Sequence, residues 1–167
     1  MDGPVFVQRL PNGNTFFATY SRFVEVRRYG STALAIDVSD HGRISDANRM
    51  RDGRIVCLFN NNQLIFFSAE GKEEVTAKMD SWGGVDSLPN GHVIVSQIYA
   101  NKIVEVDGKG NVVWEFKQAG AWVGARLPDG NTLVASKQGQ KMFKVDPKGK
   151  ILWEKEINGH PHAMHWR

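Results

Sequence analysis

Arg126-Leu127-Pro128-Asp129-Gly130-Asn131-Thr132-Leu133-Val134 recurs through this chain, in altered form, at Arg9 to Phe16, Arg49 to Val56 and Ser87 to Val95. The turn glycine of the stretch falls at Gly13, Gly53, Gly91 and Gly130, at intervals of 40, 38 and 39 residues. A second glycine follows in each unit, at Gly30, Gly71, Gly110 and Gly149, and keeps the same period. Two independent markers with one period define an internal repeat.

Between the markers the chain is rich in Val, Ile, Phe and Thr in short alternating or apolar runs, which is the strand pattern. Four strands fit into each period. In the fourth unit they are expected at Val123 to Leu127, Thr132 to Ser136, Lys141 to Val145 and Lys150 to Glu156. In the third they are expected at Gly84 to Leu88, His92 to Gln97, Lys102 to Val106 and Asn111 to Phe116. Proline presets φ in the first turn and Asn-Gly or Asp-Gly supplies the positive φ of a tight hairpin. Asn60-Asn61-Asn62 reads as another hairpin, since Asn tolerates left-handed φ. No stretch keeps apolar residues at helical spacing, so essentially no helix is expected.

A period of about 40 residues holding four short strands predicts an all-β, β-propeller-type fold of four consecutive four-stranded antiparallel blades. The blades fall at about 4–42, 43–80, 81–119 and 120–158, in a single domain. Residues 159–167 align with the first strand of a further blade, Arg167 standing where Arg126 stands 41 residues earlier. The chain then reads as an arc of a larger propeller, or as a subunit that completes its ring by association. A closed four-blade ring, in which 159–167 is a ring-closing strand, is the alternative. Trp114 and Trp153 share one place in the outermost strands, where a large ring covers the gap between adjacent blades.

Composition narrows the function. The 167 residues are 41% hydrophobic and carry 21 basic against 18 acidic residues, spread along the chain. That distribution argues against a nucleic-acid or membrane partner, which needs a clustered basic face. The N-terminal residues show neither a basic start nor a signal-length apolar segment, and no apolar run approaches a membrane span. Compartment is left open. Cys57 is the sole cysteine, so an internal disulfide and a thiolate metal site are both excluded.

The stretches Arg126 to Val134, Val104 to Phe116 and Lys144 to Glu154 resemble the repeats of bacterial PQQ-like and arylsulfotransferase-like β-propeller proteins. A quinoprotein would imply PQQ with calcium and often a vicinal cysteine pair; Cys57 stands alone, so no cofactor is expected. An arylsulfotransferase would imply histidines and an arginine at the channel mouth, and His160, His162, His165 and Arg167 stand at matching places.

His160 and His162, two apart, would face one side of a strand and share a divalent metal or a sulfate-like anion. A third ligand at suitable spacing is missing, no metal site is expected, and the same residues also read as a loop shaped by His and Pro. Trp82, Trp122 and Trp166 lie in or before first strands, which line a propeller's channel, where they would stack on a flat ligand or sugar or else plug the channel. Candidate ligand-binding residues are therefore Trp82, Trp122, His160, His162, His165, Trp166 and Arg167. No nucleophilic triad or Gly-x-Ser-x-Gly elbow is present, and no catalytic residue is assigned. The expected function is a non-catalytic scaffold that binds protein or a small ligand, with a protein partner or self-association completing the ring. Part of an arylsulfotransferase-like or PQQ-dependent enzyme is the alternative, and a carbohydrate-binding module is a second.

Overall fold

In a computed structural model of the chain, residues 3–80 and 83–159 are described. They form four four-stranded antiparallel sheets, each built from four consecutive strands in sequence order. Sheet 1 is β1 (Phe6–Arg9), β2 (Thr15–Ala18), β3 (Arg22–Val26) and β4 (Thr32–Asp37). Sheet 2 is β5 (Ile44–Arg49), β6 (Ile55–Phe59), β7 (Gln63–Phe67) and β8 (Glu73–Lys78). Sheet 3 is β9 (Val85–Ser87), β10 (Val93–Gln97), β11 (Lys102–Val106) and β12 (Val112–Lys117). Sheet 4 is β13 (Ala121–Arg126), β14 (Thr132–Ser136), β15 (Lys141–Val145) and β16 (Ile151–Glu156). These are the propeller-type blades the repeat predicts, with strand limits in the third and fourth units no more than two residues from those expected. One exception to the all-strand pattern is a single 3₁₀ turn at Ser39–His41, leading from sheet 1 to sheet 2.

The repeated stretch folds the same way four times. Leu10, Met50, Leu88 and Leu127 each receive a hydrogen bond from the turn glycine N–H, and each donates to the carbonyl four residues on. The Asx before the glycine accepts from the backbone N–H two residues later: Asn12 from Asn14, Asp52 from Arg54, Asn90 from His92, Asp129 from Asn131, at 2.9–3.1 Å. Only the glycine takes positive φ. The Asx side chain therefore caps the turn instead of sharing the left-handed conformation. A register shift between the third and fourth strands recurs at Val26, Phe67, Val106 and Val145. This bulge increases the local twist of each sheet's outer edge.

The chain divides into two compact units, Met1–Ser81 and Trp82–Arg167. In unit 1, Phe16, Phe23, Leu34 and Ile36 of sheet 1 pack with Ile55, Cys57, Ile65 and Phe67 of sheet 2. In unit 2, Ile94, Ile103, Trp114 and Phe116 of sheet 3 pack with Val134, Phe143 and Val145 of sheet 4. Alternation along each strand sends these residues to one face, which is why two sheets suffice to bury them.

Candidate functional site

Some charged residues of the repeat hold sheets together and others lie at the surface. In unit 2, Arg126 ends β13 and its Nη2 donates to Glu105 Oε2 of β11. Its Nη1 donates to Gly130 O at 2.8 Å, and the guanidinium lies 4.9 Å from the Trp114 ring centre. His92 Nδ1 stands 2.7 Å from the other oxygen of Glu105. Unit 1 repeats the device with Arg49 of β5 and Glu25 of β3, 3.4 Å apart, and with Asn14 in the place of His92, donating at 2.6 Å. Arg49 Nη1 also caps Ala69 O at 3.1 Å, and Gln8 of β1 exchanges two hydrogen bonds with the Arg49 backbone. Both carboxylates are largely buried, so each pair acts as a clamp between neighbouring sheets of its unit. Sequence reasoning treated Arg49 and Arg126 as parts of a repeat. It missed the clamp, whose signal was glutamate at two of the four third strands.

The ends of the blades where second and third strands meet are built differently. Trp122 sits at the bulge of β13, between Ala121 and Val123, half-buried. Lys137, just beyond β14, places its Nζ 4.3 Å from the Trp122 ring centre. The β10–β11 turn at the same end of unit 2 exposes Tyr99 at 68%. Asn101 of that turn accepts from Gly120 N at 2.8 Å and so ties sheet 3 to the start of sheet 4. In unit 1 the corresponding end carries Tyr20, with the Arg43 guanidinium 3.6 Å from its ring centre. Asn61 nearby donates to His41 O at 2.8 Å, and His41 packs edge-on against Phe67 at 5.4 Å. Each unit therefore presents a cation on an aromatic ring at the equivalent end of its blades.

Of the residues expected to bind a ligand, Trp122 is placed on its first strand with Lys137 as a neighbour the sequence did not reveal. Trp82, His160, His162, His165, Trp166 and Arg167 lie outside the described residues. Asn62 takes φ 66°, in keeping with the Asn turn. Trp114 covers the junction of sheets 3 and 4, but Trp153, in the matching place on β16, is 41% exposed. Cys57 is wholly buried, and burial, with the charge of Asp46 adding, pushes its thiol well above the ordinary range, which opposes thiolate chemistry. Among the described residues, no group of three or more His, Cys, Asp or Glu is arranged to hold a metal ion, and no helix is long and apolar enough to cross a membrane.

Residues 27–165 match the family described as outer membrane protein assembly factor BamB. The chain belongs to this family. Its BamB-type, PQQ-like repeats are those quoted from the sequence. Curated proteins yield no sequence match. Among solved structures, a streptogramin B lyase superposes with TM-score 0.77 at 15% identity, covering 93% of this chain and 55% of the lyase. BamB from Moraxella catarrhalis gives TM-score 0.69 at 16% identity over 90% of this chain and 48% of its own. BBS1N, solved in complex with ARL6DN, gives 0.77 at 12% identity over 96% and 54%. These likenesses establish the fold, and the chain spans about half the length of the structures it matches.

Proposed function

We propose that this BamB-family chain is a non-catalytic propeller-repeat scaffold that holds a protein partner at the blade ends carrying the second-to-third strand turns. The observation that carries this is the Trp122–Lys137 pair, with exposed Tyr99 in a turn at the same end of unit 2 and Tyr20–Arg43 at the equivalent end in unit 1. Aromatic rings and cations are the side chains enriched at protein interfaces, because a rigid ring buries much area at small entropic cost. The clamp charges are committed to sheet packing, whereas the Lys137 ammonium rests over the Trp122 indole at the blade end, where an acidic group on a partner would meet it. Two relatives fit the reading: BamB is described as an assembly factor, and BBS1N was solved with a protein bound.

A photo-crosslinking residue placed at Gln138 tests it, with Lys148 on the opposite turn as control. The expected outcome is a protein adduct of defined mass from Gln138 and none from Lys148, lost on Trp122→Ala. Equal labelling from both positions, or an adduct that survives Trp122→Ala, would defeat the reading.

A further inference from the structure

The residue before the repeat glycine is asparagine in sheets 1 and 3, Asn12 and Asn90, and aspartate in sheets 2 and 4, Asp52 and Asp129. Each aspartate has a cation in reach. Lys144 Nζ of β15 stands 2.8 Å from Asp129 Oδ2, and Arg54 Nε stands 2.8 Å from Asp52 Oδ2. The strand registers put the clamp glutamates, Glu25 of β3 and Glu105 of β11, in the place of Lys144. One residue joins each asparagine to its glutamate. His92 donates its backbone N–H to Asn90 Oδ1 at 3.1 Å, and its Nδ1 stands 2.7 Å from Glu105 Oε1. Asn14 donates its backbone N–H to Asn12 Oδ1 at 2.9 Å and its Nδ2 to Glu25 Oε1 at 2.6 Å. The turn side chain is thus charged where a cation meets it and neutral where a clamp carboxylate stands close by.

Neutrality at these two places rests on an amide in a labile setting. Asn12 and Asn90 are exposed, and each precedes a glycine, which has no Cβ to shield its backbone nitrogen. At Gly13 the space where a Cβ would project is open. We infer that Asn12 and Asn90 are sites of spontaneous deamidation, and that the carboxylate formed loosens the clamp beside it. The glycine nitrogen attacks the asparagine Cγ and gives up its proton, the Cγ–Nδ2 bond breaks, and ammonia leaves as the succinimide ring closes. Water then adds to either ring carbonyl and opens the ring to aspartate or isoaspartate. The net change consumes water, releases ammonia and adds one negative charge. In the closed turn the attacking nitrogen donates to Leu10 O at 3.0 Å or to Leu88 O at 3.1 Å, so the turn has to open before it reacts. The new carboxylate repels a largely buried glutamate and competes for its donors, which weakens the pairing with Arg49 or Arg126. The blade-end surface proposed above lies at the opposite strand ends and takes no part.

Peptide mapping by mass of the full chain, incubated at mildly alkaline pH, tests the inference, with the denatured chain as a clock. Asn12 and Asn90 are expected to convert ahead of exposed Asn111, whose branched neighbour Val112 shields the attacking nitrogen. The product is then made directly. Asn90→Asp should lower the urea midpoint, and the loss should shrink in a Glu105→Gln background; Asn12→Asp should behave likewise with Glu25→Gln. Should either glutamine variant fail to fold, sheet 4 supplies the converse: Lys144→Glu sets a carboxylate beside Asp129 and should lower the midpoint, and adding Asp129→Asn should recover part of the loss. Asn12 and Asn90 intact after the denatured chain has converted at both would overturn the proposal. So would an Asn90→Asp midpoint equal to the parent's, an equal loss with and without Glu105, or no recovery in sheet 4.

Discussion

Gly130 turns the backbone at φ +83°, and the space where a Cβ would project is nearly open, its nearest neighbour being Pro147 Cγ at 3.9 Å. Any penalty for a side chain there is thus conformational and not steric contact with neighbours. Gly130→Val, which adds a β-branched residue in the left-handed region, is expected to cost more than about 1 kcal/mol. Gln138→Val, in an exposed turn of the same sheet, should cost little. Urea unfolding of the two variants checks this, and equal midpoints would mean that the turn tolerates a side chain and that the four-fold glycine has some other cause.

Elements meet through the clamp, and repeat position alone does not make an arginine structural. Arg126 holds Glu105, caps Gly130 O and covers Trp114, whereas Arg9, at the same place on β1, is exposed and donates to Thr15. Arg126→Ala leaves a largely buried carboxylate facing His92 without its guanidinium, and about 2–3 kcal/mol of stability should go with it. Arg9→Ala should cost a few tenths of that. Equal losses in denaturant titrations would show that the ion pair contributes nothing beyond a surface arginine. This contrast marks how far the sequence was readable. The sheets were legible because a Leu-Pro-Asx-Gly hairpin is decided within five residues, so each copy announces itself. The clamp was not, because its partners lie 21 residues apart in unit 2 and 24 in unit 1, and Ser87, Phe66 and Lys144 interrupt its pattern elsewhere. Trp122 was legible as a first-strand ring, but neither residue type specifies its contact with Lys137 or the bulge at which it sits.

Over the whole molecule, carboxylates held in turns and hairpins tie stability to pH in one direction. Asp129 is drawn down to about 2, first by the hydrogen bond from Lys144 and then by those from Asn131. Asp37 is lowered foremost by Ser39, Asp107 by Asn111, and Glu115 by Lys102 and Lys117. A carboxyl group with a lower pKa in the folded chain binds fewer protons there than in the unfolded chain. Its contribution is therefore complete above the unfolded value near 4 and is lost as pH falls through the folded one. With 21 basic residues left uncompensated once the 18 acids protonate, charge repulsion acts in the same sense. The urea midpoint should hold between pH 7 and 5 and fall steadily from pH 4 to pH 2. Asp129→Asn separates the specific part from the general one, because asparagine caps the same turn at Asn12 and Asn90 without titrating. That variant should lose the Lys144 pair yet fold near neutrality, and its midpoint should drop less between pH 4 and pH 2 than the parent's. Parallel curves for the two proteins would assign the acid loss to overall repulsion and remove Asp129 from the account.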